Sequence, residues 1–336
     1  MVSIRDVAKE AGVSVGSVSR YLNGQQLKQA NMEKIKKAID TLGYQENIIA
    51  KGLKNNRSFS VGLLMNNMSS RLSSDIVASV EEVMENAGYS LLLSGFEGSP
   101  GLVSDKIDYL LNHAVDGLIL FEVDENWAGV AKLANAKIPV ISLNSPNHFS
   151  NVDSVLVNDR NSVRRVIEEL IRDGSKHIGI IAAPQTEYAS RERLAGVDEA
   201  INRHPEVKTT VYYGDYSRTS GFEGTQMLIK EKVDAIFVCN FNMSLGAMEY
   251  FNQVGIRAGK DIVFSHFDYL DDMSTLISNR IVIQQPARDI GGMCAERLLS
   301  RIDGNPSEGG STFIFENNIV GLNKKNEVKK NPQILD

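Results

Sequence analysis

The stretch that decides the fold is IRDVAKEAGVSVGSVSRYLNG, residues 4–24. Ser3 and Asp6 have the spacing of a capping box, in which each side chain bonds to the backbone N–H of the other residue. Apolar residues then recur on one stripe as far as Ala11, so this spacing predicts a first helix over residues 4–11.

A second helix is predicted from Val15 to Leu22, because Ser14 can cap it and Val18 can face inward. Two short helices joined by a three-residue turn that contains glycine are typical of a helix-turn-helix, whose second helix enters the DNA major groove. A third helix is predicted over residues 32–42. A three-helix bundle without a nucleic-acid ligand is the alternative reading of this head.

Charge is distributed unevenly along the chain of 336 residues, whose net charge is −6. Residues 1–58 carry ten Lys or Arg and five Asp or Glu side chains, a net charge of +5, and the remainder carries −11. A basic head on an acidic body is typical of a polyanion-binding module joined to a regulatory body, although a merely solvated basic face would give the same count.

Residues 4–24 resemble the head of the lactose/galactose repressor family of bacterial transcription regulators. A second motif, YQENIIAKGLK at residues 44–54, is similar to the hinge of that family, and the resemblance covers nearly the whole chain. It implies a homodimeric repressor that binds operator DNA and a small sugar or sugar-phosphate effector, with no cofactor.

The resemblance implies a DNA-contacting role for each matching position. It assigns the reading of base edges to Val15, Gly16 and Arg20. The arginine fork can pair both O6 and N7 of a guanine. Phosphate contacts, which position a protein without reading sequence, are implied for Ser14, Ser17, Ser19, Asn23, Tyr44 and Asn47. The alternative for Gly16 is that it relieves packing.

The hinge resembles a segment that becomes helical when two subunits meet over DNA. Ala50 and Leu53 match its minor-groove positions, and Leu53 would act as the apolar wedge that kinks the duplex. An ordinary core leucine is the alternative. Glu46 stands where the family has proline, which removes a fixed entry angle and brings an acid near the phosphates.

The body alternates short apolar runs with helical patterns, which indicates parallel sheets covered on both faces. The pattern supports two doubly wound α/β lobes, whose ligands bind at the carboxyl ends of strands. Return of the chain to the first lobe near Gln285 is implied only by resemblance to periplasmic sugar-binding proteins. The predicted strands are residues 60–66, 89–95, 116–122, 139–144, 177–184, 211–216, 234–240 and 261–268.

An effector site follows from the resemblance and from chemistry together. Arg193, Asn240 and Asp268 match polar positions of the family's pocket, and we expect all three at or just beyond strand ends. A guanidinium, an amide and a carboxylate each suit vicinal hydroxyls. Tyr216 matches a stacking position, with a core aromatic as the alternative, and a surface ion pair is the alternative for Arg193 with Asp268.

Two departures from the family bear on the ligand. Phe241 replaces an aspartate and exchanges a hydrogen bond for a stacking surface, and Leu322 stands where arginine is common. Asn66, Asn67 and Asn144 follow strands and are weaker candidates for the pocket.

The sequence lacks the motifs and segments that would indicate several other functions. The chain has no phosphate loop, nucleophile elbow or zinc-protease motif, which weakens an enzymatic reading. No apolar run approaches a membrane span, and the start lacks a signal-peptide core, so we expect a cytoplasmic protein. Cys239 and Cys294 lack metal-site spacing and are interpreted as small buried hydrophobes, with a disulfide as the minor alternative.

The resulting domain organisation has four parts: a helix-turn-helix head over 1–45, a hinge helix and linker over 46–58, a two-lobed effector-binding and dimerisation body over 59–330, and a polar tail over 331–336. We expect the polar and charged segment over 324–336 to be disordered in part. Two other functions stay open. One is a sugar-binding sensor whose head meets a protein partner, and the other is a sugar-processing enzyme on a similar sheet.

Overall fold

The computed structural model describes residues 2–22, 24–45, 52, 56–66, 70–268, 281–304, 308–321 and 332–335. The chain separates into two compact units, Met1–Phe59 and Ser60–Asp336. They are called the head and the body below, and each is described by itself.

The head contains the three predicted helices, α1 (Ile4–Ala11), α2 (Val15–Leu22) and α3 (Gln29–Leu42). The capping box of α1 is confirmed, because the Ser3 N–H donates to Asp6 Oδ2 at 2.8 Å and the Asp6 N–H donates to Ser3 Oγ at 3.4 Å. The predicted cap of α2 is also present, with the Ser17 N–H donating to Ser14 Oγ at 3.1 Å. The small core consists of Val7, Ala8, Ala11, Val18, Ile35 and Ala38.

Helix α3 begins three residues before the predicted start at residue 32. Lys28 precedes the helix and gives no side-chain cap. The first turn of α3 contains no buried residue, since the first buried residue of the helix is Ile35. The helix therefore starts where neither a capping residue nor an apolar stripe marks it in the sequence.

The first lobe of the body is a seven-stranded sheet with the order β13-β11-β5-β4-β3-β1-β2. All neighbouring strands are parallel except β13, which runs antiparallel to β11. Its strands are β1 (Ser60–Met65), β2 (Ser90–Gly95), β3 (Gly117–Phe121), β4 (Val140–Leu143), β5 (Val152–Val157), β11 (Thr312–Phe315) and β13 (Gln333–Leu335). Its helices are α4 (Arg71–Asn86), α5 (Val103–Asn112) and α10 (Ala287–Asp303), with 3₁₀ turns at Pro100–Leu102 and Val130–Asn135.

The second lobe is a six-stranded sheet with the order β12-β10-β9-β8-β6-β7, in which only β12 is antiparallel to its neighbour. Its strands are β6 (His177–Ala182), β7 (Lys208–Tyr213), β8 (Ala235–Val238), β9 (Val263–Phe267), β10 (Ile281–Gln284) and β12 (Asn318–Val320). Its helices are α6 (Asp159–Arg172), α7 (Tyr188–Arg203), α8 (Arg218–Lys230) and α9 (Phe241–Val254).

Three crossover segments carry the chain between the lobes. They follow β5 at Asn158, β10 at Gln285 and β11 at Glu316, so the return near Gln285 is confirmed. Asn158 Nδ2 donates to Glu316 Oε1 at 2.8 Å, and Asn317 Nδ2 donates to Asp159 Oδ1 at 2.8 Å. The first and third crossovers are therefore bonded to each other.

The predicted strands lie where expected, with one shifted. The predicted strand over residues 211–216 was placed too late, because β7 spans Lys208–Tyr213. Strands β5 and β10–β13 were not predicted. The tail expected to be disordered in part contains β13, whose backbone pairs with β11, and both sheets are mixed rather than wholly parallel.

Two glycines allow α8 and α9 to pack backbone against backbone. A Cβ atom at Gly246 would overlap the carbonyl oxygen of Arg218, and one at Gly221 would overlap that of Met243. No larger residue fits at either position without separating the two helices. Cys239 and Cys294 are free and buried, as interpreted from the sequence.

Candidate functional site

The outer face of α2 carries the three predicted base-reading residues. Val15 is 42% exposed, which is unusual for a valine, and Gly16 and Arg20 are exposed beside it. Arg20 Nε donates to Gly16 O at 3.3 Å, and no described residue bonds the two terminal nitrogens of Arg20. Within the described part of the chain, the fork of Arg20 is therefore open to an outside acceptor pair.

Gly16 lies in open space rather than at a packing contact. A Cβ atom built there would have only Ser14 Oγ within 4 Å, at 3.8 Å. The packing of the head therefore gives no reason for glycine at this position. Its absent side chain leaves a depression on the exposed face of α2.

The predicted phosphate-contacting residues lie around the same helix. Ser14 and Ser17 share a hydroxyl hydrogen bond of 2.9 Å, and Ser19 is partly buried on α2. Tyr44 follows α3 and packs against the core of the head. The remaining predicted DNA contacts, Asn23, Asn47, Ala50 and Leu53, lie outside the described residues, as do Glu46, Asn67 and Leu322.

The two lobes of the body enclose a cavity of about 710 Å³ that opens to solvent, called the cleft below. This volume includes space open to solvent at the mouth of the cleft. The cleft brings together six of the seven predicted effector-binding residues that the structure describes: Asn66, Arg193, Tyr216, Asn240, Phe241 and Asp268. The other lining residues are Ser70, Arg71, Leu72, Ser73, Glu122, Ala189 and Asn242.

The seventh residue, Asn144, lines an adjoining smaller cavity together with Glu122 and Glu187. Its side chain is 5% exposed, and its Oδ1 atom has no hydrogen-bond partner among the described residues. Asn144 therefore lies behind the cleft rather than on its open wall.

Arg193 lies in the interior of α7, so its expected position at a strand end was wrong. Its Nε donates to Asp159 Oδ2 at 2.7 Å, its Nη1 donates to Cys239 O at 2.8 Å, and its guanidinium carbon lies 3.9 Å from the Phe267 ring centroid. Burial by itself lowers the pKa of Arg193, but the charges of Asp159 and Asp268 hold that pKa above its ordinary value. The guanidinium is therefore fixed and charged, and Nη2 remains for a ligand.

Asn240 follows β8 and caps α9. Its Oδ1 accepts from the backbone N–H groups of Asn242 at 2.9 Å and Met243 at 3.3 Å. The amide oxygen is therefore used locally, and the Nδ2 group remains as a donor toward the cleft. Phe241, the first residue of α9, adds an aromatic surface to the wall.

Asp268 follows β9, with a φ angle of 65°. Its Oδ1 accepts from Gln285 Nε2 at 2.7 Å, at the second crossover. Burial raises the pKa of the Asp268 carboxyl, and the charge of Arg193 opposes part of that rise. A carboxylate here could accept hydrogen bonds from ligand hydroxyl or amine groups.

Tyr216 lines the cleft and also packs against the core of the second lobe, so both roles considered for it are realised together. The Tyr216 hydroxyl donates to Glu187, and the same hydroxyl oxygen lies 2.6 Å from Ser190 Oγ. Asn66 of the first lobe donates from Nδ2 to the other oxygen of Glu187 at 3.1 Å. Glu187 thus links the two lobes at the edge of the cleft.

The sequence reasoning missed Glu122 and Glu187. Glu122 follows β3 directly, with a φ of 59°, and burial, reinforced by the charge of Glu187, raises its pKa to about 8. Burial likewise raises the pKa of Glu187. The signal for Glu122 was its position at the end of the buried run DGLILFE, which is where ligands bind in such sheets.

Two properties of the described residues bear on other functions. No group of three or more His, Cys, Asp or Glu side chains there could hold a metal ion. No helix in the same part of the chain has the length and apolarity needed to cross a membrane.

Comparison with known sequences divides the chain at the same place as the structure. Residues 3–47 match the family described as bacterial regulatory proteins, lacI family, and residues 61–306 match the periplasmic binding protein domain. The chain is 29% identical to the lactose operon repressor of Escherichia coli (strain K12), across 92% of this chain and 87% of that protein. It is 27% identical to catabolite control protein A of Priestia megaterium, across 89% and 92% of the two chains.

Comparison with solved structures gives the same result. The lac repressor dimer bound to operator and the anti-inducer ONPF matches with a TM-score of 0.83 at 28% identity, over 95% of this chain and 97% of that one. A complex of the transcriptional regulator CelR with cellobiose matches with a TM-score of 0.68 at 25% identity, over 95% and 98% of the two chains.

Proposed function

This chain belongs to the lacI family of bacterial regulatory proteins, and we propose that it is a transcriptional repressor. Its affinity for operator DNA would be controlled by a small effector bound in the cleft. Its relatives are transcriptional regulators, and the role proposed here is regulatory rather than catalytic. Like the lac repressor dimer bound to operator, it would act on DNA as a homodimer, in the cytoplasm.

The single observation that best supports the proposal is the composition of the cleft. Arg193, Asn240 and Asp268 come from three different elements of the second lobe and line one cavity with Asn66 of the first lobe. Arg193 Nη2 and Asn240 Nδ2 are donors, and Asp268 Oδ2 is an acceptor. This alternation suits a polyhydroxylated molecule, in which each hydroxyl both donates and accepts.

The DNA-binding role is supported by the outer face of α2. In a two-fold dimer, two such helices would read two half-sites of a palindrome. Arg20 would give discrimination at a guanine, with Val15 and Gly16 allowing close approach. Ser14, Ser17, Ser19, Asn23, Tyr44 and Asn47 would hold phosphates, and Ala50 and Leu53 would enter the minor groove.

A coupling route from the cleft to the lobe geometry is supported by contacts at the crossovers. Arg193 is bonded to Asp159, and Asp159 accepts from Asn317 of the third crossover. Asp268 is bonded to Gln285 at the second crossover. A ligand that binds these side chains more tightly in one arrangement of the lobes would shift the protein toward that arrangement and so change its affinity for DNA.

The test is footprinting of the full-length protein on the promoter of its own gene, with and without a panel of free sugars. We expect two protected half-sites related by two-fold symmetry. At least one sugar should change the protein concentration at which half of the DNA is protected. Failure to protect any palindrome in either condition would overturn the repressor proposal.

The alternative of a sugar sensor that acts through a protein partner makes a different prediction. Its head would not neutralise phosphates, so its affinity for random duplex DNA would change little between two salt concentrations. A repressor would show a steep loss of that affinity as salt is raised, because phosphate contacts release counterions.

A further inference from the structure

The acidic groups that line the cleft and the adjoining smaller cavity outnumber the arginines that line them. Each arginine that lines the cleft already has a carboxylate partner: Arg193 with Asp159 at 2.7 Å, and Arg71 with Asp75 at 2.9 Å. Asp124 of the smaller cavity is likewise paired, with Arg191 at 3.1 Å. Three carboxyl groups remain that form no ion pair within the described ranges, namely Glu122, Glu187 and Asp268.

These three carboxyl groups are divided between the cleft and the adjoining smaller cavity. Glu122 lines both the cleft and the adjoining smaller cavity, Asp268 lines the first, and Glu187 lines the second. Glu187 accepts from Tyr216 and Asn66, and Asp268 accepts from Gln285, but no described residue donates to the Glu122 side chain. Glu122 is thus the one of these three carboxyl groups that has no hydrogen-bond donor among the described residues.

An independent observation points to the same missing donor. Asn144, buried beside Glu122 and Glu187, has an Oδ1 atom with no hydrogen-bond partner among the described residues. Gln285, which is 6% exposed beside Asp268, likewise has an unbonded Oε1 atom. Buried acceptors without donors are costly, so a molecule that fills this space has to bring hydrogen-bond donors.

Resting on the function proposed above, we propose that the cleft selects an effector that carries a protonated amine, an amino sugar, in preference to neutral or acidic sugars. The ammonium group lies between Glu122 and Asp268, toward Glu187. The sugar hydroxyls accept from Arg193 Nη2 and Asn240 Nδ2, and the rings of Tyr216 and Phe241 supply aromatic walls, which also favour a cation.

Two alternative ligands fit the same groups less well. A metal ion is disfavoured because no three acidic, histidine or cysteine groups of the described chain are placed to hold one. A phosphorylated or acidic sugar would bring a negative charge next to Glu122, Glu187 and Asp268, whose raised pKa values already show that negative charge is unfavourable in this space. The sugar-phosphate effector considered from the sequence is therefore disfavoured.

The raised pKa of Glu122, about 8, gives the proposal a signature in wild-type protein. An ammonium group beside Glu122 would favour its ionised form, so binding at neutral pH would release a proton to the buffer. Calorimetry in two buffers that differ in ionisation enthalpy measures that release directly. A neutral sugar in the same cleft would release none.

The experiment is calorimetric titration of the full-length protein with matched pairs: glucosamine with glucose, galactosamine with galactose, and mannosamine with mannose. N-acetylglucosamine and glucose 6-phosphate complete the panel. We expect at least one amine to bind tenfold or more tightly than its hydroxyl partner, with proton release, and acetylation to remove the preference. Glu122→Gln should reduce the preference at least fivefold, whereas Asp108→Asn, which removes an exposed carboxylate paired with Lys132, should leave it unchanged.

Each remaining outcome is decisive. Equal or tighter binding by the neutral or phosphorylated sugar in every pair would overturn the amine assignment and leave the sugar-regulated repressor standing. No binding by any member of the panel would overturn both. If Glu122→Gln does not fold, the amine preference of the wild-type protein and its proton release test the proposal. Glu187→Gln then serves as the second variant.

Discussion

Asp159 holds Arg193 in place, with Oδ2 of the first accepting from Nε of the second at 2.7 Å, and neither side chain is more than 6% exposed. Asp159 begins α6 immediately after the first crossover, and Arg193 projects from α7 toward the cleft. The ligand-facing cation is therefore anchored to the segment that joins the lobes.

Replacing Asp159 by Asn would leave the Arg193 charge buried without its partner. Breaking a buried pair in this way costs on the order of 3–5 kcal/mol of unfolding free energy, and the freed guanidinium should also weaken ligand binding. Denaturant unfolding of the full-length protein measures the first effect. Asp261→Asn, in the exposed pair with Arg257, is the control and should change stability little; an equal loss in both variants would contradict the role given to Asp159.

Arg20→Ala should reduce operator selectivity and leave ligand binding intact. The lost guanine contact is worth about 1–3 kcal/mol of discrimination, so the ratio of operator to random-duplex affinity should fall roughly tenfold or more. Lys37→Ala removes one positive charge from α3 instead and should weaken both affinities alike. Mobility shifts on both duplexes give the ratio, and an unchanged ratio for Arg20→Ala would refute its base-reading role.

Glu122→Gln should make stability less dependent on pH. The folded pKa of Glu122 is about 8, against 4.5 for the free side chain, and the nearby charges are Glu187, Asp268, Asp159 and Arg193. Between these values the folded state holds a proton that the unfolded state has lost, so the contribution of Glu122 is complete below pH 4.5 and is lost as pH rises toward 8.

The wild-type protein should therefore lose up to about 1.4 kcal/mol of stability from this group per pH unit across that window, and Glu122→Gln should not. Chemical denaturation of both proteins at pH 5, 6.5 and 8 gives the two slopes. Parallel slopes would show that Glu122 ionises normally in the folded body.

Gly246→Ala should destabilise the body, because the added Cβ meets the carbonyl oxygen of Arg218 on the neighbouring helix. Separating two packed backbones is expected to cost about 3 kcal/mol or more. The matched change Gly16→Ala, in open space on α2, should instead stabilise the head by about 0.5–1 kcal/mol, because alanine favours helix. Thermal melts followed by circular dichroism compare the two, and a stable Gly246→Ala would indicate that α8 and α9 separate easily.

The sequence predicted the head best because its signals are local. The Ser3–Asp6 capping box and the Ser14 cap each span four residues, and both are present as predicted. The start of α3 was missed because Lys28 gives no cap. Strand β13 was missed because its pairing with β11 joins residues about twenty positions apart and leaves no pattern in three residues.

The cleft was predicted in part. Arg193, Asn240 and Asp268 were recognised because their motifs resemble a known family, although Arg193 lies on a helix. Glu122 and Glu187 were missed, since an acid in a loop is usually solvated. Only the packing of two lobes, contributed by distant parts of the chain, buries Glu187, half-buries Glu122 and raises the pKa of both.

The crossovers also set the order in which the body can be completed on the ribosome. Strand β5 gains its neighbour β11, and α4 gains α10, only when residues 287–315 have emerged. The second lobe lies almost entirely between residues 159 and 284. We therefore expect the lobe that is translated first to finish folding last, which leaves its apolar sheet edge exposed to chaperones until synthesis is nearly over.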